Sequence, residues 1–345
     1  MPDAVRWGVL GNATIARKCM LPAISKSGNG CIAVLGTRRP AKAAGLVETC
    51  RIDRLVDDYN AVLSDPRVDA VYIPLPNHLH HHWTIRALEA GKHVLCEKPL
   101  ACSAREAIEM AEAARNNKKI LMEALMYRFH PRSRRIKQLV DQGAVGTPRL
   151  VRTAFTFPMD QTLLAQRDNP RLNRSMGGGA LLDVGCYGVS VAVWLLDALP
   201  NAVQGLALLD AGRTDGVDLH FTGTMAFRQG AMAQIEAGFL TALQQTYAVV
   251  GSRGAIELPH DAFIPWEKEA CYVMRGPEEE TGSRHCATGV DEYRLMVEHF
   301  DVVVAEGAAQ EITLTESINN MRILDALAES ALKEERIRLD LRPFM

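Results

Sequence analysis

The sequence predicts a two-domain protein, in which an α/β domain with a parallel, twisted sheet precedes an α+β domain with a large, mainly antiparallel open sheet. The length of 345 residues favours two domains, because a domain typically has about 100–200 residues. Up to residue 125, short apolar runs alternate with helical patterns, which is typical of right-handed crossovers in a parallel sheet. Beyond that point, strand-like segments follow one another between turns. We therefore place the domains at residues 1–125 and 126–345.

Continuous apolar runs in the first domain predict strands that are buried on both faces of the sheet. They cover Val5–Leu10, Cys31–Gly36, Asp69–Ile73, His93–Cys96 and Ile120–Ala124. Helical patterns cover Ile15–Ser27, Pro40–Thr49, His80–Ala90 and a last helix that runs to about Asn117. That helix begins after Ser103, because Ser103 and Glu106 form a capping-box pattern.

The second domain is predicted to combine longer strands with four helices. The strands are Leu150–Phe157, Val203–Leu209, Leu219–Phe227, Ala231–Phe239 and Tyr247–Gly251. The helices are about Ser133–Gln142, Leu181–Leu199, Asp291–Glu306 and Thr315–Lys333. The charged stretch Pro265–Ser283 is expected to be a surface loop.

Composition excludes several classes of protein. The net charge of −2 creates no global attraction for nucleic acid or for an anionic membrane. No stretch approaches the roughly 18 apolar residues that a membrane helix needs. Residues Met1–Leu10 lack the basic region and the apolar stretch of a signal peptide. We therefore expect a cytoplasmic protein with no membrane and no nucleic-acid partner.

The eight cysteines form no C-x-x-C pair, and their spacing indicates neither a disulfide framework nor a zinc site. We expect all of them to be reduced thiols, most of them small core residues. They are Cys19, Cys31, Cys50, Cys96, Cys102, Cys186, Cys271 and Cys286.

A dinucleotide-binding turn is predicted after the first strand. The segment reads Gly11-x-Ala13-x-x-Ala16 against the Rossmann pattern G-x-G-x-x-G/A, with alanine at the second position. In this pattern the first glycine forms the tight turn, and phosphate binds at the N-terminus of the following helix. The predicted contacts are Gly11, Asn12, Ala13, Thr14 and Ile15. The alternative is an ordinary tight turn between strand and helix.

The end of the second strand favours NADP(H) over NAD(H). An NAD site needs an acidic residue there for the ribose hydroxyls, whereas an NADP site needs cations for the 2′-phosphate. No Asp or Glu occurs from Ala4 to Val47, and the strand ends in Thr37, Arg38 and Arg39. Thr37 offers a hydroxyl and Arg38 a planar fork. The alternative is a pair of solvated surface arginines.

The segment Glu97-Lys98-Pro99 follows the predicted strand His93–Cys96, and open α/β sheets bind ligands at the carboxyl ends of their strands. Lys98 is placed to donate a proton, or to lower the pKa of a neighbouring hydroxyl through its charge. Pro99 restricts Lys98 to extended geometry. The alternative is a salt bridge of Glu97 with another cation.

A second candidate lies at Asp183 and Tyr187, which are four residues apart and so share a helix face. The glycines at 177–179 permit close approach of backbone to a ligand. A phenol acts as a general acid when a nearby cation depresses its pKa from about 10. The alternative is a buried tyrosine with a satisfied hydroxyl and a helix-end carboxylate.

Histidines cluster at His78 and 80–82 after the third predicted strand. His78 and His82 form the one i, i+4 pair, and no acid or cysteine is near them in sequence, so we predict no metal site. We place His80 near the nicotinamide ribose instead.

The ordered set of motifs resembles the glucose–fructose oxidoreductase / inositol dehydrogenase / MocA (Gfo/Idh/MocA) family over nearly the whole chain. It rests on Gly8–Ala16, Thr37-Arg38, Pro74–His80, Glu97-Lys98-Pro99, Glu123–Pro131 and Gly177–Tyr187. The resemblance implies a Rossmann domain followed by an open-sheet domain that is often used for oligomer contacts. We therefore expect a homodimer or homotetramer through that sheet.

The resemblance also implies the roles of single residues. Lys98 would lie beside nicotinamide and substrate, and Asp183 and Tyr187 would complete the catalytic site. Many members carry histidine at the last position, and Tyr187 is similar to the branch with aldose dehydrogenases, dihydrodiol dehydrogenases and sugar ketoreductases. Further implied contacts are Tyr127 and Arg171 for the substrate, and Leu75, Asn77, Glu97 and Arg128 for the cofactor.

The predicted activity is hydride transfer between NADP(H) and a hydroxyl or carbonyl carbon of a carbohydrate-like substrate. Tyr187 exchanges the proton, Lys98 tunes it, and Asp183 orients both or holds a neighbouring hydroxyl. Direct proton donation by Lys98 is the alternative within this mechanism. Two other functions stay open at this point: a non-catalytic NADP-binding sensor or repressor of the same fold, and a dihydrodiol dehydrogenase that acts on a non-sugar.

Overall fold

A computed structural model describes residues 4–28, 30–166, 168–210 and 216–341. The chain divides into two compact units. The first comprises the residues through Phe129 together with Asp291–Ser317, and the second comprises His130–Val290 together with the residues from Ile318 onward.

Fifteen strands and ten α-helices are formed within the described residues. The strands are β1 (Val5–Leu10), β2 (Gly30–Gly36), β3 (Arg54–Val56), β4 (Ala70–Ile73), β5 (His93–Cys96), β6 (Leu121–Glu123), β7 (Pro148–Thr156), β8 (Pro200–Leu209), β9 (Asp218–Phe227), β10 (Met232–Gly238), β11 (Gln244–Gly251), β12 (Gly254–Leu258), β13 (Ala270–Arg275), β14 (Ser283–Ala287) and β15 (Ile337–Arg338). The helices are α1 (Leu21–Lys26), α2 (Ala44–Thr49), α3 (Tyr59–Leu63), α4 (His80–Glu89), α5 (Ala104–Asn116), α6 (Pro131–Asp141), α7 (Gln161–Leu164), α8 (Cys186–Leu196), α9 (Glu292–Glu306) and α10 (Leu314–Lys333).

The first unit has a parallel six-stranded sheet in the order β3-β2-β1-β4-β5-β6, which confirms the predicted doubly wound architecture. Ser103 caps α5 as predicted, because its Oγ accepts the Glu106 N–H over 3.3 Å. The carboxylate of Glu106 in turn accepts the Cys102 N–H over 2.9 Å, one residue before the N-cap N–H that a capping box uses.

Several short elements of this unit escaped prediction, among them helix α3. Strand β3 is three residues long, and its first residue, Arg54, is exposed, so it lacks the apolar run that marks the other strands. The helix after β1 begins with a π-helical turn at Ala16–Met20 before it continues as α1. Hydrophobic periodicity does not reveal one widened turn, because the residue types remain those of a helix.

Helix α9 packs on the first sheet although it follows the second sheet in the sequence. The indole N–H of buried Trp7 in β1 donates to Asp301 Oδ1 over 2.9 Å. The ring centroids of Trp7 and Phe300 lie 5.2 Å apart. This contact between residues almost 300 positions apart has no signature in local sequence.

The second unit has a nine-stranded sheet in the order β14-β13-β12-β11-β7-β10-β9-β8-β15. Strands β7 and β10 pair in parallel, whereas the remaining neighbours within the described sheet are antiparallel. This confirms the large, mainly antiparallel sheet. The prediction of a loop over Pro265–Ser283 is wrong in part, because β13 occupies 270–275 and its first three residues are buried.

The prediction that all eight cysteines are reduced is also wrong. Cys271 and Cys286 form a disulfide, because they lie directly opposite each other across β13 and β14. Their 15-residue separation does not reveal this pairing, since the register of the two strands decides it. Among the described residues, the other six are free thiols, and Cys19, Cys50, Cys96 and Cys186 are buried as expected.

The expectation that no segment approaches a membrane helix also needs correction. Arg174–Leu196 reaches the required length, with a mean hydropathy of 1.7, and 78% of its most apolar window is buried inside the protein. Helix α8 within it has nine buried residues. A helix that is apolar all round and buried is a core helix.

Replacing Asp301 with asparagine tests the buried contact with Trp7. Burial raises the pKa of Asp301 to about 8, so the folded protein holds a proton that the unfolded chain releases above about pH 4. The stability of the native protein therefore falls as the pH rises from about 4 to about 8. We expect Asp301→Asn to match the native protein near pH 4 and to be about 1–3 kcal/mol more stable at pH 8.

Urea unfolding across this pH range measures the difference. Asp57→Asn is the control, because that carboxyl is exposed. A stability difference between Asp301→Asn and the native protein that does not change with pH would contradict the prediction.

Candidate functional site

The turn after β1 has the conformation that a dinucleotide-binding loop needs. Gly11 has φ +108°, and a Cβ there would lie 3.0 Å from Leu75 Cδ2 and 3.4 Å from the Tyr59 hydroxyl. The Gly11 N–H donates to the Gly36 carbonyl over 2.7 Å, which joins this turn to the end of β2. Asn12 Oδ1 is buried and has no hydrogen-bond partner among the described residues. The positive φ of Gly11 is the backbone conformation that the first glycine of the dinucleotide-binding pattern adopts, and the contacts of this turn with a pyrophosphate stay a prediction.

Tyr59 was missed by the sequence-based prediction. It is the first residue of α3, which Asp58 caps by accepting the Asn60 N–H over 2.9 Å. Its ring lies close to Gly36, because an added Cβ on that glycine would be 3.2 Å from Tyr59 Cδ1. The capping aspartate is the one local signal for this position.

The end of β2 presents its cations to solvent. Thr37 is 4% exposed, and its Oγ1 accepts the Arg39 N–H over 3.3 Å. The Thr37 N–H donates to Val56 of β3 over 2.9 Å. Arg38 and Arg39 are both exposed, so their side chains are accessible to an anionic group.

The segment that carries Lys98 is held from within the first unit. The Tyr72 hydroxyl donates to Glu97 Oε1 over 2.6 Å, and Glu97 Oε2 accepts the Lys98 N–H over 3.3 Å. Burial raises the pKa of Glu97. In its described hydrogen bonds Glu97 binds Tyr72 and the backbone, and its predicted contact with the cofactor stays a prediction. The Lys98–Pro99 peptide bond is cis, and the Lys98 side chain is half-buried.

His80 is completely buried, and its predicted place at the nicotinamide ribose stays a prediction. Its Nε2 lies 2.8 Å from the Leu75 carbonyl oxygen and its Nδ1 lies 2.9 Å from the Pro99 carbonyl oxygen. Burial lowers the pKa of His80, and a neutral imidazole has one N–H, so the ring donates to one of these two carbonyls and lies close to the other. The ring thus joins the segments after β4 and β5. Asn77 lies between Leu75 and His80 in the sequence. It begins the short 3-10 turn Asn77–Leu79 and is half-buried.

Glu123, at the end of β6, supports the same segment. Its Oε1 accepts the Leu100 N–H over 3.0 Å. Burial raises the pKa of Glu123 to about 7, so this carboxyl is partly protonated at neutral pH. The sequence-based assignment of site residues did not include it, because the hydrogen bond depends on the pairing of β5 with β6.

Tyr127 and Arg128 lie in the turn that follows Glu123, and both are buried. The Arg128 guanidinium pairs with Glu311 at 3.4 Å and with Glu316 at 3.3 Å. It also donates to the Glu311 carbonyl over 3.2 Å. These contacts give Arg128 a structural role within the first unit, and its predicted contact with the cofactor stays a prediction.

In the second unit, Asp183 and Tyr187 lie beside Arg171. Arg171 Nε donates to Asp183 Oδ2 over 2.7 Å, and the negative charge of Asp183, with a smaller contribution from Tyr187, raises the pKa of Arg171. Tyr187 is 3% exposed. Its ring packs against Phe155 and Phe263, with centroids 5.3 Å and 5.2 Å away.

Packing inside the protein gives a physical reason for the glycines at 177–179 that the sequence did not predict. A Cβ on Gly178 would lie 2.6 Å from the carbonyl oxygens of Pro170 and Arg171, and a Cβ on Gly179 would overlap Asp218 Oδ1. Asp218 accepts the Leu181 N–H over 2.6 Å, and burial raises its pKa to about 6. In the described contacts, Gly178 and Gly179 allow close packing inside the protein, and close approach of a ligand to this backbone stays a prediction.

Replacing Gly179 with alanine tests this packing. An alanine at φ +116° is strained, and its Cβ overlaps Asp218, so we expect a loss of about 2 kcal/mol or more in the free energy of unfolding. Gly45→Ala is the matched control, because Gly45 lies in α2 and nothing stands within 4 Å of its added Cβ. Chemical denaturation of both variants measures the difference, and equal stabilities would contradict the assignment.

Comparisons with known proteins identify the family to which both parts of the chain are similar. A family model described as "Oxidoreductase family, NAD-binding Rossmann fold" matches residues 5–125, and one described as "GFO/IDH/MocA C-terminal domain" matches residues 133–257. The chain is 34% identical to a D-xylose 1-dehydrogenase (NADP(+)) of Haloferax volcanii, over 97% of this chain and 99% of that protein. It is 31% identical to a dTDP-3,4-didehydro-2,6-dideoxy-alpha-D-glucose 3-reductase of Actinomadura kijaniata, over 95% and 96%.

The same architecture occurs in a crystal structure of a 3-ketoreductase from Actinomadura kijaniata in complex with NADP and TDP-benzene. The TM-score is 0.87 at 29% identity, and the match covers 95% of this chain and 98% of that one. Both predicted domains are thus found together, in the same order, in known oxidoreductases. The chain therefore belongs to the Gfo/Idh/MocA family of NAD(P)-dependent oxidoreductases.

Proposed function

We propose that the protein is a cytoplasmic NADP(H)-dependent enzyme that oxidises a hydroxyl carbon, or reduces a carbonyl carbon, of a sugar or sugar-like substrate. The observation that carries the cofactor preference is the end of β2, where Thr37 is followed by two exposed arginines and no acidic residue is present from Ala4 to Val47. The names of the xylose dehydrogenase and of the ketoreductase complex support NADP.

The turn residues from Gly11 to Ile15 would hold the pyrophosphate of the cofactor, with Leu75 beside Gly11, and Thr37 and Arg38 would hold the 2′-phosphate. This assignment is supported by the φ of Gly11 and by the exposure of Arg38. Charge-assisted hydrogen bonds from a guanidinium fork suit a phosphate well. When bound, the cofactor supplies or accepts the hydride at nicotinamide C4.

The remaining chemistry is proton transfer by side chains of this chain. In reduction, the Tyr187 hydroxyl gives its proton to the substrate oxygen, and in oxidation it takes the proton back. Lys98 supports the charge on the phenolic oxygen, since a cation stabilises a phenolate. Asp183 accepts a hydrogen bond from a neighbouring substrate hydroxyl, and Tyr127 borders the substrate. Direct donation by Lys98 is the alternative route for the same proton.

We also propose that the open face of the second sheet joins copies of the chain into a homodimer or homotetramer. This face of the sheet carries residues that are paired across successive strands. They are Leu206, Thr222, Glu236, Ala154 and Thr246. Leu206 is 67% exposed, and exposed apolar side chains on a flat sheet favour association. Sedimentation at micromolar concentration distinguishes these states from a monomer.

Replacing Arg38 with glutamine tests the preference for NADP. The variant loses a charged contact with the 2′-phosphate, so we expect its affinity for NADPH to fall about 10–100-fold, or about 1.4–2.8 kcal/mol, while NADH binds as before. Arg39→Gln is the matched control, because Arg39 is the next residue and equally exposed. Fluorescence titration measures both affinities. Equal losses for NADPH and NADH would show that Arg38 does not bind the 2′-phosphate.

Replacing Lys98 with methionine and Tyr187 with phenylalanine tests the proton-transfer pair. Each variant lacks one group needed at the substrate oxygen, so we expect kcat to fall by about 10²–10⁴-fold while NADPH affinity is kept. The controls are Lys268→Met, at an exposed lysine, and Tyr272→Phe, at a buried tyrosine of β13.

Absorbance at 340 nm with a panel of ketoses, aldoses and diketones measures turnover. Near-normal kcat in Lys98→Met or Tyr187→Phe would remove that residue from the chemistry. Tight NADPH binding by the native protein without turnover of any compound would contradict the enzymatic proposal as a whole.

A further inference from the structure

We propose that Cys271, Cys286 and Glu269 form a zinc site once the disulfide between the two cysteines is reduced. The disulfide of the structure is then the oxidised, metal-free state of this site. All three residues belong to the second unit. The proposal goes beyond the proposed function and does not depend on it, because its readout is bound metal rather than turnover.

Strand register brings the three side chains to one face of the second sheet. Cys271 of β13 lies directly opposite Cys286 of β14, and side chains that are paired across two strands point to the same face. Glu269 lies immediately before β13 and two residues before Cys271, and residues two apart in an extended chain also share a face. The contact distance agrees, because Glu269 Oε1 lies 3.5 Å from Cys271 Sγ.

The separations of the ligand atoms suit a zinc ion. The two Sγ atoms and a carboxylate oxygen of Glu269 all lie within 4.8 Å of one another. Ligand atoms at the usual Zn–S and Zn–O distances are about 3.6–3.8 Å apart in a tetrahedral site. The sulfur of Cys271 is already close to this distance from Glu269, so the two sulfur atoms need only move apart once their bond is broken. Within the part of the chain that the structure describes, no other group of three such side chains lies as close together.

The types of ligand favour zinc over magnesium or calcium, because soft thiolates select metals such as zinc. Three protein ligands leave the fourth tetrahedral position to water. Solvent reaches that position, since Cys286 is exposed and the Glu269 side chain is 63% exposed, whereas Cys271 is buried. His285 is not the fourth ligand, because it precedes Cys286 directly in the strand and so points to the other face, where its ring stacks on Tyr272 with centroids 5.2 Å apart.

Arg284 is placed to support the carboxylate ligand. Its guanidinium donates to Glu269 Oε1 over 3.2 Å. Two thiolates and one carboxylate carry three negative charges against the two positive charges of Zn²⁺, so a neighbouring cation balances the charge that remains. Carboxylates that bind a metal are commonly held by a hydrogen bond from such an outer partner. The ion pair in the structure is therefore compatible with a metal on Glu269.

Reduction opens the site by thiol–disulfide exchange. A thiolate of a dithiol reductant attacks the exposed sulfur of Cys286, the bond between the two cysteines breaks, and Cys271 leaves as a thiolate. The second thiol of the reductant then displaces Cys286, so the reductant becomes a disulfide and the protein has gained two electrons and two protons. Zn²⁺ replaces the two thiol protons when it binds. In a compartment that keeps thiols reduced, the zinc-bound state is the expected one.

Zinc binding by the full-length protein tests the proposal. The protein is reduced with dithiothreitol, separated from it by gel filtration under argon, and titrated with Zn²⁺ in competition with a chromophoric chelator. We expect one tightly bound Zn²⁺ per chain, and binding at least about 100-fold weaker in the oxidised protein, since loss of a mere outer partner already costs about 10–100-fold. Co²⁺ in the same site should show the near-ultraviolet charge-transfer absorption of thiolate ligands.

Three variants identify the ligands. Cys271→Ser and Cys286→Ser should each weaken zinc binding by the reduced protein about 100-fold or more, and Glu269→Gln about 10-fold or more. The matched controls are Cys31→Ser, at a half-buried free thiol, and Glu278→Gln, at an exposed carboxylate. Both controls should bind zinc as the native protein does.

Equal zinc affinity of the reduced and the oxidised protein would overturn the proposal, as would native affinity in Cys286→Ser or Glu269→Gln. Where a cysteine variant does not fold, alkylation of the reduced native chain decides. Zn²⁺ should protect the exposed Cys286 thiol from iodoacetamide, and equal labelling with and without the ion would count against the site. Turnover by Tyr187→Phe, which tests the proposed function, changes none of these outcomes.

Discussion

The carboxyl ends of parallel strands meet at one edge of a sheet, and every candidate residue of the first unit depends on this constraint. Gly11 follows β1, Thr37 follows β2, Leu75 follows β4 and Lys98 follows β5. The pairing of β1 with β2 and β4 and of β4 with β5 brings these four positions to the same edge. A glycine turn, a basic strand end and a lysine become parts of one site only because the strands are parallel and neighbouring.

Polar residues near this edge serve largely to hold the backbone that presents the site. The two ring nitrogens of His80 lie 2.9 Å and 2.8 Å from backbone carbonyl oxygens, and Glu97 and Glu123 accept hydrogen bonds from N–H groups of the segment around Lys98. A buried polar group is costly unless it is hydrogen-bonded, so each of these side chains is held firmly. The lysine segment is thereby held by its neighbours on both sides. His80, Glu97 and Glu123 therefore support the backbone around Lys98, whatever contacts His80 and Glu97 make with a cofactor.

The second unit uses close backbone packing for the same purpose. Gly178 and Gly179 remove the Cβ atoms that would push away the Arg171 segment and Asp218. The ion pair between Arg171 and Asp183 follows from this packing. A glycine-rich motif next to candidate catalytic residues suggests a place where a ligand contacts the backbone. Here the described contacts of the glycines are with other residues of the protein. Glycine is needed for ligand approach and for internal packing alike, because it has no side chain. Only the residues that surround it in space distinguish these two roles.

The sequence by itself determined the class of both sheets, most element positions, the dinucleotide turn and the basic end of β2. These follow from local pattern, since apolar periodicity and turn residues act within a few positions of each other. Tertiary structure alone decided the pairing of Cys271 with Cys286, the return of α9 to Trp7, the carbonyl contacts of His80 and the place of Arg171 beside Asp183. Each of these joins segments through strand register or packing, and neither is encoded in the spacing of residues along the chain.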